Sequence, residues 1–445
     1  MPLRGGELML RRLLLLLLLG ASPAWASDQV IMGGGNMSMT ATTTEYLPIM
    51  GSENELWGTS EASEEGLVST GGTLKTLHVW LDAAPDNGAG TQTYTFTLRK
   101  NTAGCNVTCN ISETATSCED TSNTCAVVAN DAVTMQKTIG AGTPTVTEAR
   151  WALIFSSTTA KESLLIGTGG SGSNAANRYI PPHGMADPQQ TAADNSALLV
   201  TTGGTLKNLY IEVQAVPGGT AERVYTLIKN EFTATALTCT ITAAITACSD
   251  TVNTVAAVAG DFFSIENNPN GTPASGSNRA AVGMTFLADT DGEFLISTDV
   301  GSPDNTTTTY GIVQAGKMGA TTTEASHWTR ALAMSILHIR AHWANPPGVG
   351  KQWVYTLRQD SVGGTLDNAL DNTLLLCTKS VGDENCNGTS TITIPDDDIL
   401  TVSIVPTGTP TANITQIGLL GFIAPASGGQ AAVIRDAILQ GCVCD

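Results

Sequence analysis

Hydrophobic and polar positions alternate along this chain in short runs, and one run returns three times. Leu77, Val79 and Leu81 alternate with His78, Trp80 and Asp82. Leu209, Ile211 and Val213 alternate with Tyr210, Glu212 and Gln214, and Leu337, Ile339 and Ala341 with His338, Arg340 and His342. A period of two predicts strands with one buried and one solvated face. Tyr94 to Leu98 and Trp151 to Phe155 alternate too, with Arg279 to Leu287 and Ile414 to Ile423 as later counterparts. Turn formers separate the runs: Pro85-Asp86-Asn87-Gly88, Pro217-Gly218-Gly219, Ala259-Gly260-Asp261 and Pro346-Pro347-Gly348. No convincing helical pattern appears. Roughly seven or eight short strands per copy predict an all-β chain of antiparallel β-sandwiches, with jelly-roll topology first and an immunoglobulin-like sandwich second.

The repeat extends well beyond one strand. TGGTLKTLHVWL starts at Thr70, TGGTLKNLYIEV at Thr202, and a decayed copy, MSILHIRA, at Met334. TLRKN, TLIKN and TLRQD follow at Thr97, Thr226 and Thr356. Each copy then has a cysteine pair, an Asp before an apolar run (Asp131, Asp261, Asp398) and a Gly-Thr-Pro ending at Pro144, Pro273 or Pro410. A period of about 130 residues suits a whole domain. Three tandem domains are expected at 27–160, 161–290 and 291–426, after a leader at 1–26 and before a tail at 427–445. GTGGSGSN, from Gly167 to Asn174, reads as a linker or loop between the first two copies, and Ala288 to Glu293 as the second break.

The leader carries Arg4, Arg11 and Arg12, an apolar run from Leu13 to Leu19, and Ala24-Trp25-Ala26 before Ser27. That pattern predicts a secretory signal cleaved after Ala26, and its apolar run is too short to span a bilayer. The expected location is extracellular. Ten cysteines in an exported chain predict disulfides. Cys109/Cys118, Cys239/Cys248 and Cys377/Cys386 recur at one spacing and read as staples across hairpins. Cys105/Cys125 would nest around the first pair, while Cys442 and Cys444 would join each other or link chains. CxxC knuckles are absent, which argues against zinc. The formal charge of −19 becomes −21 once three Arg and one Glu leave with the leader. Such a surface repels nucleic acid and anionic membranes.

The order TGGTLKNLYIEV, YTLIKN, a Cys pair, VAAVAGDFF and GTPAS resembles a recurrent domain of exported bacterial and phage-associated proteins that carries no settled function. Its layout is similar to jelly-roll heads of the tumour-necrosis-factor and complement type. The resemblance covers the second copy well, the first adequately and the third poorly. It implies a jelly roll and a homo-oligomer, in particular a trimer, and it transfers no activity.

Four constellations invite chemistry. His78, Trp80 and Asp82, on the face expected to be solvated, would make a carbohydrate platform by stacking and hydrogen bonding. In that reading Glu212 and Arg340 replace Trp80 in the other copies, and Trp57, Trp328, Trp343 and Trp353 are further stacking candidates. His338, Arg340 and His342 share one predicted face and suggest a metal site, given a ligand from a neighbouring strand. Asp289-Thr290-Asp291-Gly292-Glu293 and Asp396-Asp397-Asp398 gather carboxylates, so calcium is the ion they would suit, although neither follows EF-hand spacing. No cofactor is otherwise called for. There is no GxSxG, HExxH or phosphate loop, while a glycosidase carboxylate pair is invisible to spacing. Sequons start at Asn106, Asn110, Asn270, Asn305, Asn387 and Asn413, as chance allows in so Thr-rich a chain. The sequence thus points to a secreted, non-catalytic binding or structural protein with a glycan or cell-surface ligand. A self-assembling subunit and a carbohydrate-active enzyme are the rivals.

Overall fold

The computed structural model describes residues 27–425 except 36, 52–56, 87–89, 141, 187, 275–278, 344, 361–369 and 413. The leader and the tail, with Cys442 and Cys444, lie outside the described residues. The first copy contains β1 (Asp28–Gly35), β2 (Glu45–Leu47), α1 (Glu61–Glu64), β3 (Gly66–Leu67), β4 (Gly72–Leu81), β5 (Thr93–Lys100), β6 (Ala103–Ser112), β7 (Ser117–Val127), β8 (Ala132–Ile139) and β9 (Ala149–Ser157). The second contains β10 (Glu162–Gly169), β11 (Arg178–Ile180), β12 (Gly184–Ala186), β13 (Leu198–Leu199), β14 (Gly204–Val213), β15 (Glu222–Lys229), β16 (Thr233–Ile241), β17 (Ala247–Ala257), β18 (Phe262–Asn270) and β19 (Ala280–Ala288). The third contains β20 (Glu293–Val300), β21 (Thr309–Gly311), β22 (Lys317–Met318), β23 (Thr329–Ala331), β24 (Met334–Trp343), β25 (Gln352–Gln359), β26 (Asp371–Lys379), β27 (Asn385–Ile394), β28 (Asp398–Thr407) and β29 (Thr415–Phe422).

Each copy is a sandwich of two sheets. In the first, one sheet runs β1-β9-β4-β7 and the other β2-β8-β5-β6, with β3 beside β8. The other copies repeat this order, and each adds one short parallel strand (β12 or β22) outside its opening strand. In the first copy the chain crosses between the facing sheets at every link except the β2–β3 step and the β5–β6 hairpin, and the strand pairs are antiparallel, which is jelly-roll connectivity. GTGGSGSN is not a connector between copies. Its first three residues finish β10, which pairs with β19 inside the second sandwich. The first two sandwiches are joined by the few residues between β9 and β10.

The four described cysteine pairs, Cys105–Cys125, Cys109–Cys118, Cys239–Cys248 and Cys377–Cys386, are disulfides with Cα–Cα separations of 5.6 to 5.8 Å. The expectation of staples across a hydrogen-bonded hairpin needs correcting. Cys109 lies on β6 and Cys118 on β7, edge strands of facing sheets, so each repeated bridge closes the open side of a sandwich. Cys105–Cys125 nests around the first of these, and it too runs from β6 to β7 rather than across a hairpin. Cys125 lies opposite Leu74 of β4 and is buried in the first core, whereas Cys105 is half-buried at its edge. The first sandwich is therefore closed twice on a side where the others are closed once. Closing a loop as short as the repeated one contributes roughly 2–3 kcal/mol, chiefly by constraining the unfolded chain. The Asp residues before apolar strands hold turns. Asp131 accepts from Val128 N (2.8 Å) and Asn101 Nδ2 (2.6 Å), and Asp261 from Val258 N (2.9 Å) and Asn230 Nδ2 (3.0 Å).

The cysteine register also aligns the copies. Cys118 lies opposite Val79, Cys248 opposite Ile211 and Cys386 opposite Ala341. The third copy is therefore displaced by two residues from the expected alignment. His342, not Arg340, matches Trp80 and Glu212. A β-bulge hides this from the period-two pattern. Thr76 and Asn208 take left-handed φ values of 55° each, and β24 is bulged between Ile336 and His338. The inward set of β24 is consequently Met334, Ile336, Ile339, Ala341 and Trp343, while Leu337 is only half-buried.

The sandwiches close into a ring. β3 of the first lies on β10, β14 and β19 of the second; β13 of the second lies on β20, β24 and β29 of the third; β23 of the third lies on β1 and β9 of the first. At each junction the same short strand meets the opening and closing strands of the neighbouring sandwich, and the third junction returns to the start. The opening strands sit inside this ring and are buried on both faces. One face of each joins the preceding sandwich's core: Leu164 and Ile166 enter the first, Leu295 the second, and Val30 and Met32 the third. These strands therefore depart from the half-solvated pattern. Polar contacts seal the junctions. Gln29 exchanges two hydrogen bonds with the Leu164 backbone (2.8 and 2.9 Å), Thr70 donates to Glu162, Thr202 donates to Glu293 (2.8 Å), and Ser27 donates to Asp291 (2.5 Å).

Candidate ligand clefts between the sandwiches

Ring closure creates a cleft at each junction. One wall comes from the outer ends of the β4-, β7- and β9-type strands of one sandwich, and the other from loops of its neighbour. The position held by Trp80, Glu212 or His342 faces each cleft, so one alignment column sets three different linings.

Between the third and first sandwiches the cleft is filled. Trp80 is 8% exposed, and the Arg330 guanidinium carbon stands 5.6 Å from its ring centroid. His78, also 8% exposed, faces Asp397 of the third sandwich (Nδ1 to Oδ1, 2.8 Å) and Glu119 (Nε2 to Oε2, 3.4 Å). Arg150 donates to Trp328 O (2.9 Å) and pairs with Asp82 and Glu148. Burial pushes the Glu148 carboxyl up to about 7, with Asp82 beside it adding to the shift. The face bearing His78 and Trp80 is therefore not solvated. Trp80 has no free face on which a sugar could stack, and it serves as an inter-sandwich contact. Of the other stacking candidates, Trp57, Trp343 and Trp353 are buried and Trp328 is half-buried.

Between the first and second sandwiches Glu212 leaves a cavity of about 170 Å³, lined also by Ala62, Ser63, Glu65, Gln214 and Arg279. Gln214 donates to Ser63 Oγ (2.9 Å). The Glu65 carboxyl is pushed up to about 6, first by burial and then by Glu61 and Glu212.

Between the second and third sandwiches the cavity reaches about 330 Å³, lined by Asn230, Glu231, Gly260 and Phe262 from the second and His342, Glu384 and Asn385 from the third. The rings of Phe262 and His342 stack at 4.4 Å. Deeper in this junction His183 is fully buried and donates Nε2–H to Ser297 O (2.7 Å). Burial pulls its imidazole down to about 4, so it is neutral at neutral pH. The bridged cysteines, Cys125 among them, line neither cavity, and their part is to hold the sandwiches that do.

No protein-family model and no curated protein matches the chain. The clefts must be read from their own chemistry.

The metal constellations are not assembled. His338 and His342 share a strand face four residues apart, which separates them by about 13 Å along β24, too far for one ion. In the acidic loops Asp291 accepts from Ser27, Asp396 from Ala333 N (2.8 Å) and Asp398 from Gln359 (2.5 Å) and Ile399 N (2.8 Å). Among the described residues no group of three His, Cys, Asp or Glu is arranged to hold a metal. No helix among them is long and apolar enough to cross a membrane.

Sequence reasoning missed one class of residue. Each sandwich buries a cation at the same end, supplied by a different strand: Lys137 on β8, Arg223 on β15 and Lys379 on β26. Lys137 reaches Glu45 (2.7 Å), and Arg223 donates to Asn174 Oδ1 (2.9 Å). Lys379 donates to Glu384 O (2.8 Å), and burial pulls its amine down to about 7. Because the strand changes from copy to copy, no repeat alignment marks them.

Proposed function

We propose that the chain is an exported, non-catalytic binding protein whose three jelly rolls form one head and whose ligands enter the clefts between them. The observation that carries this reading is the contrast between repeated junction geometry and divergent cleft lining. One column holds Trp, Glu and His at three equivalent places, while the cysteine bridges and core strands around it repeat. A head that meets its ligands between sandwiches needs just that distribution. Export is supported by the leader pattern and by the disulfides. The resemblance to jelly-roll heads supports the threefold layout, with copies inside one chain standing where separate subunits would. Two open clefts on one rigid body would gain avidity for a multivalent surface.

The test is an array of glycans and peptides presented to the mature chain, with mass spectrometry of the array material afterwards. Retention of a ligand class without product release is expected. Turnover of a polysaccharide, lost on replacing one carboxylate, would make the chain a carbohydrate-active enzyme instead.

A further inference from the structure

The side chains that line the cleft between the second and third sandwiches present mainly hydrogen-bond acceptors, while the nearby cations Lys379, which donates to Glu384 O, and Arg340, beside Gly260, are not among the lining. His342 is 6% exposed, and its Nδ1 lies 2.7 Å from Asn385 Oδ1. An amide oxygen only accepts, so Nδ1 carries a proton, and burial pulls the His342 imidazole below its ordinary pKa, which leaves the ring neutral with a lone pair on Nε2. Among the described residues Nε2 has no hydrogen-bond partner, and the ring lines the cavity. Both ends of the Asn230 amide are engaged, Nδ2 by Asp261 (3.0 Å) and Oδ1 by Phe262 N (3.0 Å). Apart from the Asn385 amide nitrogen on the exposed rim, the side chains left to meet a ligand are the His342 lone pair and the carboxylates of Glu231 and Glu384.

Those carboxylates sit close enough to feel each other. The Glu231 carboxyl is pushed up, first by burial and then by Asp194 and Glu384. Glu231 comes to the cleft because the β15–β16 hairpin turns through two left-handed residues, Asn230 (φ 50°) and Glu231 (φ 68°). Phe262, stacked under His342, supplies an apolar floor. A ligand that satisfies this lining is a hydrogen-bond donor, positively charged, with a short apolar stem.

We propose that this cleft binds an alkylammonium group, with the ammonium donating to His342 Nε2, Glu231 and Glu384 and the alkyl stem resting on Phe262. The inference rests on reading the clefts as binding surfaces and adds the ligand class. The same ammonium is carried by free polyamines and by lysine side chains. Phe232 (87% exposed), next to Glu231, and Val258 (59% exposed), two residues before Gly260, flank the lining and favour a lysine on a polypeptide.

The experiment titrates the disulfide-intact mature chain, followed by NMR, with n-butylammonium, neutral n-butanol, spermidine and N-acetyl-lysine methylamide. Saturable binding of butylammonium but not butanol is expected. Glu231→Gln and Glu384→Gln should each weaken it at least about tenfold, the scale of a lost charged hydrogen bond. Glu113→Gln, on the exposed turn between β6 and β7 of the first sandwich and outside both clefts, should leave it unchanged. Tighter binding of the lysine derivative than of spermidine identifies a polypeptide source, and the reverse a free polyamine. Equal response to butanol, or identical affinity in all three variants, overturns the proposal. An array ligand retained after that result would leave the general binding function standing.

Discussion

Replacing Trp80 by Ala should destabilise the whole chain by about 3–5 kcal/mol, the usual cost of emptying a buried tryptophan site. The ring belongs to the same apolar cluster as Val30, Met32, Ala152, Phe294 and Ile336, so the cavity opens where the ring of sandwiches closes. Its loss also uncovers the Arg330 guanidinium now lying over it. Denaturant unfolding of Trp80→Ala against the parent chain is the measurement, read as a midpoint shift. An unchanged midpoint together with lost retention on a sugar matrix would contradict the buried placement and restore the solvated platform expected from alternation.

Gly316→Ala should cost about 3 kcal/mol, at the high end of overpacking. A Cβ at Gly316 would stand 2.0 Å from Met185 O and 2.4 Å from Met185 N, backbone atoms of β12 that cannot swing away. The reciprocal residue, Gly184, takes φ +65° and would place its Cβ 2.1 Å from Gly316 N. The second and third sandwiches thus meet backbone to backbone at these two glycines. Hydrogen exchange should quicken in β12, β13 and β22 before it does in β5 or β8, which lie in the first sandwich. Uniform protection and a wild-type midpoint would mean that the two sandwiches do not meet there.

Fold and site were legible in the sequence to different degrees. The three sandwiches could be read because their determinants are local: alternation, turn formers and a cysteine spacing within one hairpin-length segment. That same spacing misleads about what the bridges join, because Cys109 and Cys118, like Cys105 and Cys125, are close in the chain yet sit on facing sheets. The two-residue displacement in the third copy could not be read from alternation, since a bulge resets the period and Leu337 happens to be apolar. It was recoverable from the cysteines, which fix Ala341 opposite Cys386. The ring does leave a signal in the sequence. VIM in β1, LLI in β10 and FLI in β20 are continuous apolar runs rather than alternating ones, as strands covered on both faces require. Period two says which residues share a face and not what covers that face, which is why it puts Trp80 in solvent.

Small-angle scattering of the mature chain tests the closed ring most directly. A compact body of this length has a radius of gyration of about 22 Å, and the ring predicts a value near that at the mass of a single chain. A markedly larger radius at the same mass, with the drawn-out distance distribution of three beads on a string, would contradict it.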